Sequence, residues 1–149
     1  MKKKELKKIG LVISLFNLDI SARLKEGALD ELKKTGIHNF EIREVPGVVE
    51  IPLSAQWLFQ KNYQAVIALG AVIRGETTHF DACCRMVEQG CMQVQLKMNR
   101  PIIFGILMTE SKEQALARSG GEKGHIARLS VQTALKMLSF LEEEQRQEQ

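Results

Sequence analysis

The chain has 149 residues, of which 44% are hydrophobic, and its 21 basic and 18 acidic residues leave a formal net charge of +3. A chain of this length is the size of one ordinary domain and buries about 68–70% of its unfolded surface on folding. The nearly balanced charge and the 5% aromatic content argue against a nucleic-acid-binding surface. No apolar run approaches the ~20 residues that span a bilayer, which argues against a membrane protein.

Both ends of the chain are polar. The N-terminal segment 1–8 (MKKKELKK) is basic, and the apolar stretch behind it is too short for the h-region of a secretory signal. We therefore expect a cytoplasmic protein in which residues 1–8 are frayed and solvated. The polar sequence EEEQRQEQ at the other end predicts fraying from about residue 145 to residue 149. Everything between is expected to form a single domain, without repeats or linkers.

The first predicted elements are a strand, a helix and a second strand. Residues 9–16 (IGLVISLF) form an almost continuous apolar run, which is typical of a strand covered on both faces. From Asp19, a plausible N-cap, apolar residues recur every four positions until Gly36, and this spacing predicts a helix. Residues 40–45 (FEIREV) alternate like a strand until a Pro-Gly pair ends it.

The middle of the chain continues the alternation. Residues 49–62 have helical spacing, with Pro52 early in the segment, where a first-turn proline is tolerated. Residues 65–73 (AVIALGAVI) read as the third strand, again apolar throughout. From Thr78 the apolar residues keep to steps of three and four, which predicts the most regular helix of the chain.

The last predicted elements are a strand and two helices. Residues 101–108 (PIIFGILM) have the composition of a fourth buried strand. Residues 111–114 (SKEQ) form a Ser-x-x-Gln capping box, which predicts a short helix ending at residues 120–121. The final helix is expected from about residue 124 to residue 144, with one apolar stripe.

The order β-α-β-α-β-α-β-α-α predicts right-handed crossovers and a parallel sheet. The fold class is therefore α/β, and we expect a three-layer α/β/α sandwich with a four-stranded parallel sheet. In open parallel sheets, ligands bind beyond the carboxyl ends of the strands, near the point where the strand order reverses. The unusual residues of this sequence follow the predicted strands, where such a site would lie.

The three cysteines offer little chemistry by their spacing. Cys83, Cys84 and Cys91 are odd in number and contain no Cys-x-x-Cys pair, which disfavours both a disulfide and a zinc site. Cys84 and Cys91 fall on the same helical face as Phe80 and Val87. We therefore expect these two to be small core residues.

The sequence GETTHFD after the third strand permits two interpretations. Thr78 and Asp81 have the spacing of a capping box, so the segment can simply begin a helix. Alternatively, the backbone amides of residues 75–78 form a phosphate site at the helix N-terminus, and the Thr77 hydroxyl adds a donor. Glu76 opposes this second interpretation unless its carboxylate points outward.

His79 is the one histidine with suggestive surroundings. In the first turn of a helix, the partial positive charge disfavours the imidazolium form, and a neutral imidazole can accept a proton. Next to a phosphate site it can act on a phosphorylated substrate as general base and then as acid. The alternative is an ordinary surface histidine. His38 and His125 lack such surroundings, and we interpret them as structural.

The remaining unusual residues each have a structural and a functional interpretation. Arg74 is either a buried ion-pair partner or a ligand contact. Arg118, in the last turn of a short helix, either favours the helix end locally or completes a phosphate site of its own or of another subunit. Glu50 either starts a helix or accepts hydrogen bonds from substrate hydroxyls. Phe16 and Phe104, at strand ends, either join the core or stack on a flat ring.

Five motifs in chain order resemble the 6,7-dimethyl-8-ribityllumazine synthase family of riboflavin biosynthesis. The resemblance covers most of the chain, and one motif is fourteen residues long, which makes it far more specific than a single glycine pattern. The motifs are FN (16–17), VPGVVEIP (45–52), ALGAVIRGETTHFD (68–81), PIIFGILMTE (101–110) and QALARSG (114–120).

The resemblance implies an enzyme that condenses 5-amino-6-(D-ribitylamino)uracil with 3,4-dihydroxy-2-butanone 4-phosphate. The products would be the lumazine, phosphate and water, with no metal and no organic cofactor. The family resemblance further implies one set of residues that stacks on the pyrimidine or meets the ring and the ribityl chain. These residues are Phe16, Val48, Val49, Glu50, Ala71, Val72 and Ile73.

The same resemblance implies a phosphate site and a subunit interface. Glu76 and Thr77 would hold the phosphate through their backbone amides, and His79 would transfer protons. Phe104 would reach the ring, and Arg118 the phosphate, from the neighbouring subunit. The implied assembly is a pentamer, in some family members a shell of twelve pentamers.

Two alternatives remain at the level of the sequence. One is a flavodoxin-like module that binds a flavin or nucleotide phosphate. Against it, the first strand is followed by LFN, where a flavodoxin has a Ser/Thr-rich phosphate loop. The other is a homologue that only forms the shell, without activity.

Overall fold

The computed structural model describes residues 7–148, and its centre is a four-stranded parallel sheet in the order β2-β1-β3-β4. Of the two segments predicted to fray, residues 1–6 and residue 149 lie outside the described residues. The strands are β1 (Ile9–Ser14), β2 (Phe40–Val45), β3 (Ala65–Ile73) and β4 (Ile102–Thr109). All three neighbouring pairs are parallel, as predicted, so the carboxyl ends of all four strands share one edge.

Helices cover both faces of the sheet. They are α1 (Leu18–Lys34), α2 (Ile51–Gln60), α3 (His79–Met98), α4 (Lys112–Arg118) and α5 (Ile126–Gln147), with a 3-10 turn at Val48–Glu50 before α2. This arrangement confirms the predicted three-layer α/β/α fold. Within the described residues, no helix is both long and apolar enough to cross a membrane.

The two faces of the sheet form two separate hydrophobic cores because successive strand residues point to opposite sides. In β3, Ile67 and Leu69 pack against α1 and α5, whereas Val66 and Ala68 pack against α2 and α3. The near-continuous apolar runs of the sequence arise from this coverage on both faces. Cys91 belongs to the α2–α3 core at 4% exposure, which confirms its predicted role.

Three predicted helix boundaries need correction. The residue that caps α1 is Asn17, with φ 67°, and Asp19 lies inside the first turn. Asparagine tolerates this left-handed conformation better than most residues, which is why the turn occurs there. Pro52 does lie in the first turn of α2, as predicted, but residues 48–50 form a 3-10 turn. Finally, α5 continues to Gln147, beyond the predicted end at residue 144.

The link between α4 and α5 contains an element that the sequence analysis did not predict. Ser119–Gly121 (β5) pairs antiparallel with Gly124–His125 (β6) in a small hairpin. Gly120 and Gly124 both have positive φ, of 107° and 88°, which is the region where glycine is strongly preferred. The hairpin therefore accounts for the glycines that were interpreted only as a helix end.

Candidate functional site

A cavity of about 490 Å³ lies beyond the carboxyl ends of β1 and β3. The chain runs from β1 outward to β2 and then returns to place β3 on the other side of β1, so the strand order reverses at this point. The cavity is therefore where the topology predicts a ligand site. Its volume falls within the roughly 300–1,000 Å³ typical of small-molecule sites.

Most of the predicted binding residues line this cavity. The predicted residues that line it are Phe16, Val48, Val49, Glu50, Ala71, Val72, Ile73, Thr77 and His79. They come from four separate segments, which are brought together because each follows, or lies at the end of, a strand at the same edge. Glu76, Phe104 and Arg118 do not line the cavity of their own chain.

The floor of the cavity is closely packed around Gly70. A β-carbon at Gly70 would lie 2.9 Å from Cβ of Ser14 and 3.2 Å from Cγ1 of Val48. Both neighbours are buried, Ser14 completely and Val48 to 6% exposure. Any larger residue at position 70 would displace Ser14 or Val48, which both line the cavity, because non-bonded carbons pack at about 3.5–4.0 Å.

Asn17 fixes the loop that carries Phe16. Its side-chain amide donates a hydrogen bond of 3.1 Å to the Ala71 carbonyl, which ties the exit of β1 to the end of β3. Phe16 itself is 71% exposed although it is a large apolar side chain. It belongs to the cavity wall and not to the core, which decides between the two interpretations of this residue.

The segment 75–78 leaves its backbone donors available. None of these four amides donates a hydrogen bond to another group of the described residues. Thr78 makes no side-chain capping bond, and Asp81 instead pairs with Arg74, so the predicted capping box does not form. Glu76 is exposed and does not line the cavity. This geometry supports the interpretation that residues 75–78 bind an anion over the interpretation that they only begin a helix.

His79 begins α3, is exposed and faces the cavity. Its backbone amide donates a long bond of 3.4 Å to Oγ1 of Thr77. Its Nε2 atom is 3.3 Å from Sγ of Cys83, one turn further along the helix. His38 and His125 lie away from the cavity, and the His125 ring packs against Gly27.

Arg74 is an ion-pair partner, but it is exposed and not buried as that interpretation expected. Nε donates a bond of 2.7 Å to Glu110, and the two terminal nitrogens contact Asp81 at 3.3 and 3.4 Å. The guanidinium also lies 4.4 Å from the centre of the Phe80 ring. Arg74 does not line the cavity, so it braces the first turn of α3 and the end of β4.

Phe104 and Arg118 lie elsewhere on the protein surface. Phe104 is the third residue of β4 and pairs with Ala68, so the sequence prediction that it lies at a strand end is wrong. The strand end, Thr109, is five residues further on, about 16 Å at 3.3 Å per residue. Arg118 is exposed and bonds the Gln114 carbonyl at the end of α4. Neither residue serves the cavity of its own chain.

The cavity also contains residues that were not predicted to be part of it. Ser14 interrupts the apolar run of β1, and its buried Oγ has no hydrogen-bond partner among the described residues. A polar residue at the last position of a buried strand was the available signal. Phe80 and Cys83 also line the cavity, and the i, i+4 spacing from His79 to Cys83 was the signal for the latter.

No metal-binding cluster of three or more His, Cys, Asp or Glu side chains occurs within residues 7–148. All three cysteines are free thiols, with Cys84 and Cys91 buried and Cys83 partly exposed. The cavity is lined by apolar side chains, unpaired amides, the hydroxyls of Ser14 and Thr77, one carboxylate, one imidazole and one thiol.

Fold and cavity together define a class, the flavodoxin-like α/β/α proteins that hold a small molecule at the carboxyl edge of a parallel sheet. The sequence model of the 6,7-dimethyl-8-ribityllumazine synthase family matches residues 6–142. The chain belongs to this family.

Individual relatives agree with the family match. The 6,7-dimethyl-8-ribityllumazine synthase of Coxiella burnetii (strain RSA 493 / Nine Mile phase I) is 45% identical over 139 residues, 91% of this chain and 92% of the relative. The protein of that name from Cytophaga hutchinsonii is 47% identical over 133 residues, 87% of this chain and 84% of the relative. The one from Limosilactobacillus reuteri is 41% identical over 133 residues, covering 89% and 88%.

Proposed function

We propose that this chain is a transferase that condenses 5-amino-6-(D-ribitylamino)uracil with 3,4-dihydroxy-2-butanone 4-phosphate. The products are 6,7-dimethyl-8-ribityllumazine, inorganic phosphate and water, in the penultimate step of riboflavin biosynthesis. The observation that carries the proposal is family membership over residues 6–142, which include every residue of the cavity.

The phosphate of the butanone substrate binds the amides of residues 75–78. These amides stand at the N-terminus of α3, where unpaired N–H groups and the helix dipole favour an anion. Thr77 adds a hydroxyl donor, and Glu76 contributes its amide while its carboxylate remains in solvent. The unpaired state of the amides supports this role, because a bound phosphate then replaces only water.

The pyrimidine binds between apolar walls at the ends of β1 and β3. Phe16 stacks on the ring, and its high exposure leaves one aromatic face available. Glu50 accepts hydrogen bonds from the ribityl hydroxyls. Its carboxylate lies over Gly47, where a β-carbon would come within 3.1 Å of Oε2. The remaining wall is formed by Val48, Val49, Ala71, Val72 and Ile73.

In the reaction, the 5-amino group of the uracil attacks the ketone and forms an imine with loss of water. Phosphate then leaves, and ring closure with loss of a second water completes the lumazine. Each step moves protons, and His79 is the side chain of the cavity that we assign to this task, as general base and then acid. The amide cradle stabilises the departing phosphate, so no strong acid is needed to expel it.

A second chain completes the site. The family resemblance assigns Phe104 to the ring and Arg118 to the phosphate, and both are exposed outside the cavity of their own chain, so we propose that they serve the cavity of a neighbouring subunit. The guanidinium supplies a fork of donors that suits phosphate. This requires self-association, and we propose a pentamer, with a 60-subunit shell as the larger form.

Exposed apolar side chains support the self-association. Isolated exposed apolar residues are ordinary, but several on one helix mark a contact surface. On α3, Met86, Met92 and Leu96 are 60%, 52% and 72% exposed, and Phe104 on the edge strand β4 is 39% exposed. Light scattering distinguishes the forms: a pentamer has about five times the 16.8 kDa mass of the chain.

Two other functions use the same fold, a flavin- or nucleotide-binding module and a shell protein without activity. One experiment separates all three: the purified protein is mixed with both substrates and the fluorescent lumazine is recorded. Product formation above the uncatalysed rate is expected. A stoichiometric flavin without product favours the binding module, and a large particle without product favours the shell protein.

The role of His79 is tested by His79→Ala. Much of the acceleration comes from holding the two substrates together. We therefore expect turnover to fall by about 10- to 100-fold, the low end of the range for general acid–base groups. His38→Ala is the matched control, since His38 is exposed and remote from the cavity, and its turnover should equal the wild-type value. Complete loss of product in a folded His79→Ala protein contradicts the proposal.

A further inference from the structure

Cys83 is a thiol in the cavity wall for which the reaction above has no role. It lies four residues after His79 on α3, and its Sγ atom is 3.3 Å from Nε2 of the imidazole. Both side chains line the same cavity. Residues four apart are neighbours on a helix surface, so the helix itself holds the two groups together.

The contact determines which ring nitrogen of His79 is available. A neutral imidazole has one N–H donor and one acceptor nitrogen, and a thiol is a weak donor and a weak acceptor. Within residues 7–148 the Cys83 sulfur is the one hydrogen-bond partner of the His79 ring. Since Nε2 is engaged by the sulfur, Nδ1 is the nitrogen that remains open to a substrate.

We propose that Cys83 is a positioning residue for His79: its sulfur accepts a hydrogen bond from Nε2–H and thereby presents an unprotonated Nδ1 to the reacting groups. The inference rests on the proposed function, in which His79 moves the protons of the condensation. Cys83 acts through the imidazole and not on the substrates. The loss of its thiol therefore affects the rate of turnover and not the binding of either substrate.

The other two cysteines do not share this position. Cys84 is buried, and burial raises the pKa of its thiol. Burial raises the pKa of the Cys91 thiol to about 12. Because the thiolate is the nucleophile, these two thiols react slowly with electrophiles. Cys83 is the one partly exposed cysteine of the chain, so its reactivity can be followed in the wild-type protein.

The first test compares three substitutions at position 83. Cys83→Ala removes the partner of Nε2 and should lower kcat by about 2- to 10-fold, which corresponds to one ordinary net hydrogen bond. Cys83→Val refills the volume without a partner and should behave like Cys83→Ala, whereas Cys83→Ser supplies a hydroxyl and should recover most of the rate. KM should stay within about twofold for both substrates. Cys84→Ala, which removes a neighbouring thiol outside the cavity lining, is the control with wild-type kcat.

The second test asks whether the effect passes through His79. In a His79→Ala background, Cys83→Ala should cause no further loss of kcat, since residues that act as a unit are not additive. If the two losses multiply fully, or if Cys83→Val retains the wild-type rate, the positioning role is wrong.

A third measurement does not depend on turnover. Labelling with 5,5′-dithiobis(2-nitrobenzoate) releases one coloured thiolate for each protein thiol that attacks the reagent disulfide. We expect one fast thiol, lost in Cys83→Ser, and slower labelling in His79→Ala because a neighbouring imidazole promotes the thiolate. If the fast thiol is labelled at the same rate in His79→Ala as in the wild type, the proposed interaction between Cys83 and His79 is wrong.

The failures of the two proposals are distinguishable. If the wild-type protein forms no lumazine, the proposed function fails, and the labelling rates still report whether the sulfur and the imidazole interact. If the wild-type protein is active but Cys83→Ala leaves kcat unchanged, the positioning role fails alone.

Discussion

Replacement of Gly105 by alanine tests how tightly the edge strand β4 is packed against α5. Gly105 pairs with Leu69 of β3. A β-carbon there would lie 2.6 Å from Oγ of Ser130, 2.7 Å from Cδ2 of Leu69 and 3.0 Å from the Ala68 carbonyl oxygen. Non-bonded carbons pack at about 3.5–4.0 Å, so two side chains must move by about 1 Å. The third neighbour is backbone and cannot rotate away.

The expected magnitude follows from two opposing terms. Overpacking of a closely packed core typically costs about 1–3 kcal/mol. Replacing glycine in a strand returns about 0.5–1 kcal/mol of backbone entropy. With both terms at the middle of their ranges, the net loss in the free energy of unfolding should be about 1 kcal/mol, or about 2–4 °C in Tm for a domain of this size.

Urea unfolding followed by the fluorescence of Trp57 measures this loss, with all variants at one protein concentration because the chain self-associates. Gly75→Ala is the control: no atom lies within 4 Å of a β-carbon there, so the free energy of unfolding should not fall and should rise by at most about 1 kcal/mol. Ser130→Ala added to Gly105→Ala removes the closest contact and should recover part of the loss. If Gly105→Ala alone is as stable as the wild type, the packing argument is refuted.

Three further predictions concern charge. Arg118→Ala should raise KM for the butanone phosphate far more than for the uracil. If the variant and the wild type have the same KM for the butanone phosphate, Arg118 does not bind its phosphate. The Tyr63 hydroxyl donates a bond of 2.6 Å to Glu41, which lowers the pKa of that carboxyl below its ordinary 4.5. The pair therefore adds stability that is fully present above pH 4.5, and the difference in urea midpoint between wild type and Tyr63→Phe should shrink as the pH falls below 4.5. Burial lowers the pKa of His125 below its ordinary 6.5, so the folded state resists protonation and stability should decline as the pH falls below that value. His125→Gln should make this decline smaller, as measured by urea midpoints from about pH 7.5 to pH 5.5. If the midpoints of wild type and His125→Gln decline in parallel, His125 is not the cause.

Much of the fold could be predicted from local patterns. A strand covered on both faces must be apolar at every position, and an amphipathic helix must repeat every three to four residues. β3 therefore has the bounds Ala65–Ile73 that the sequence indicated. Turn chemistry also located the exits of the strands, and with them Phe16 and His79.

Boundaries set by tertiary contacts were less predictable. Asn17 caps α1 instead of Asp19 because its amide can reach the Ala71 carbonyl, a contact across 54 positions of sequence. Asp81 does not cap α3 because Arg74, placed beside it by β3, is a stronger partner. The hairpin after Arg118 depends on glycine conformations that the pattern of apolar residues does not encode.

The sequence by itself determined the alternation of strands and helices, the two-sided burial of the sheet and the family. Only the tertiary structure decided the order β2-β1-β3-β4, and with it the cavity between the ends of β1 and β3. It also placed Phe104 far from the strand end and brought Cys83 against His79. Local patterns record which face of an element is buried, whereas the identity of the neighbour across that face depends on how the whole chain packs.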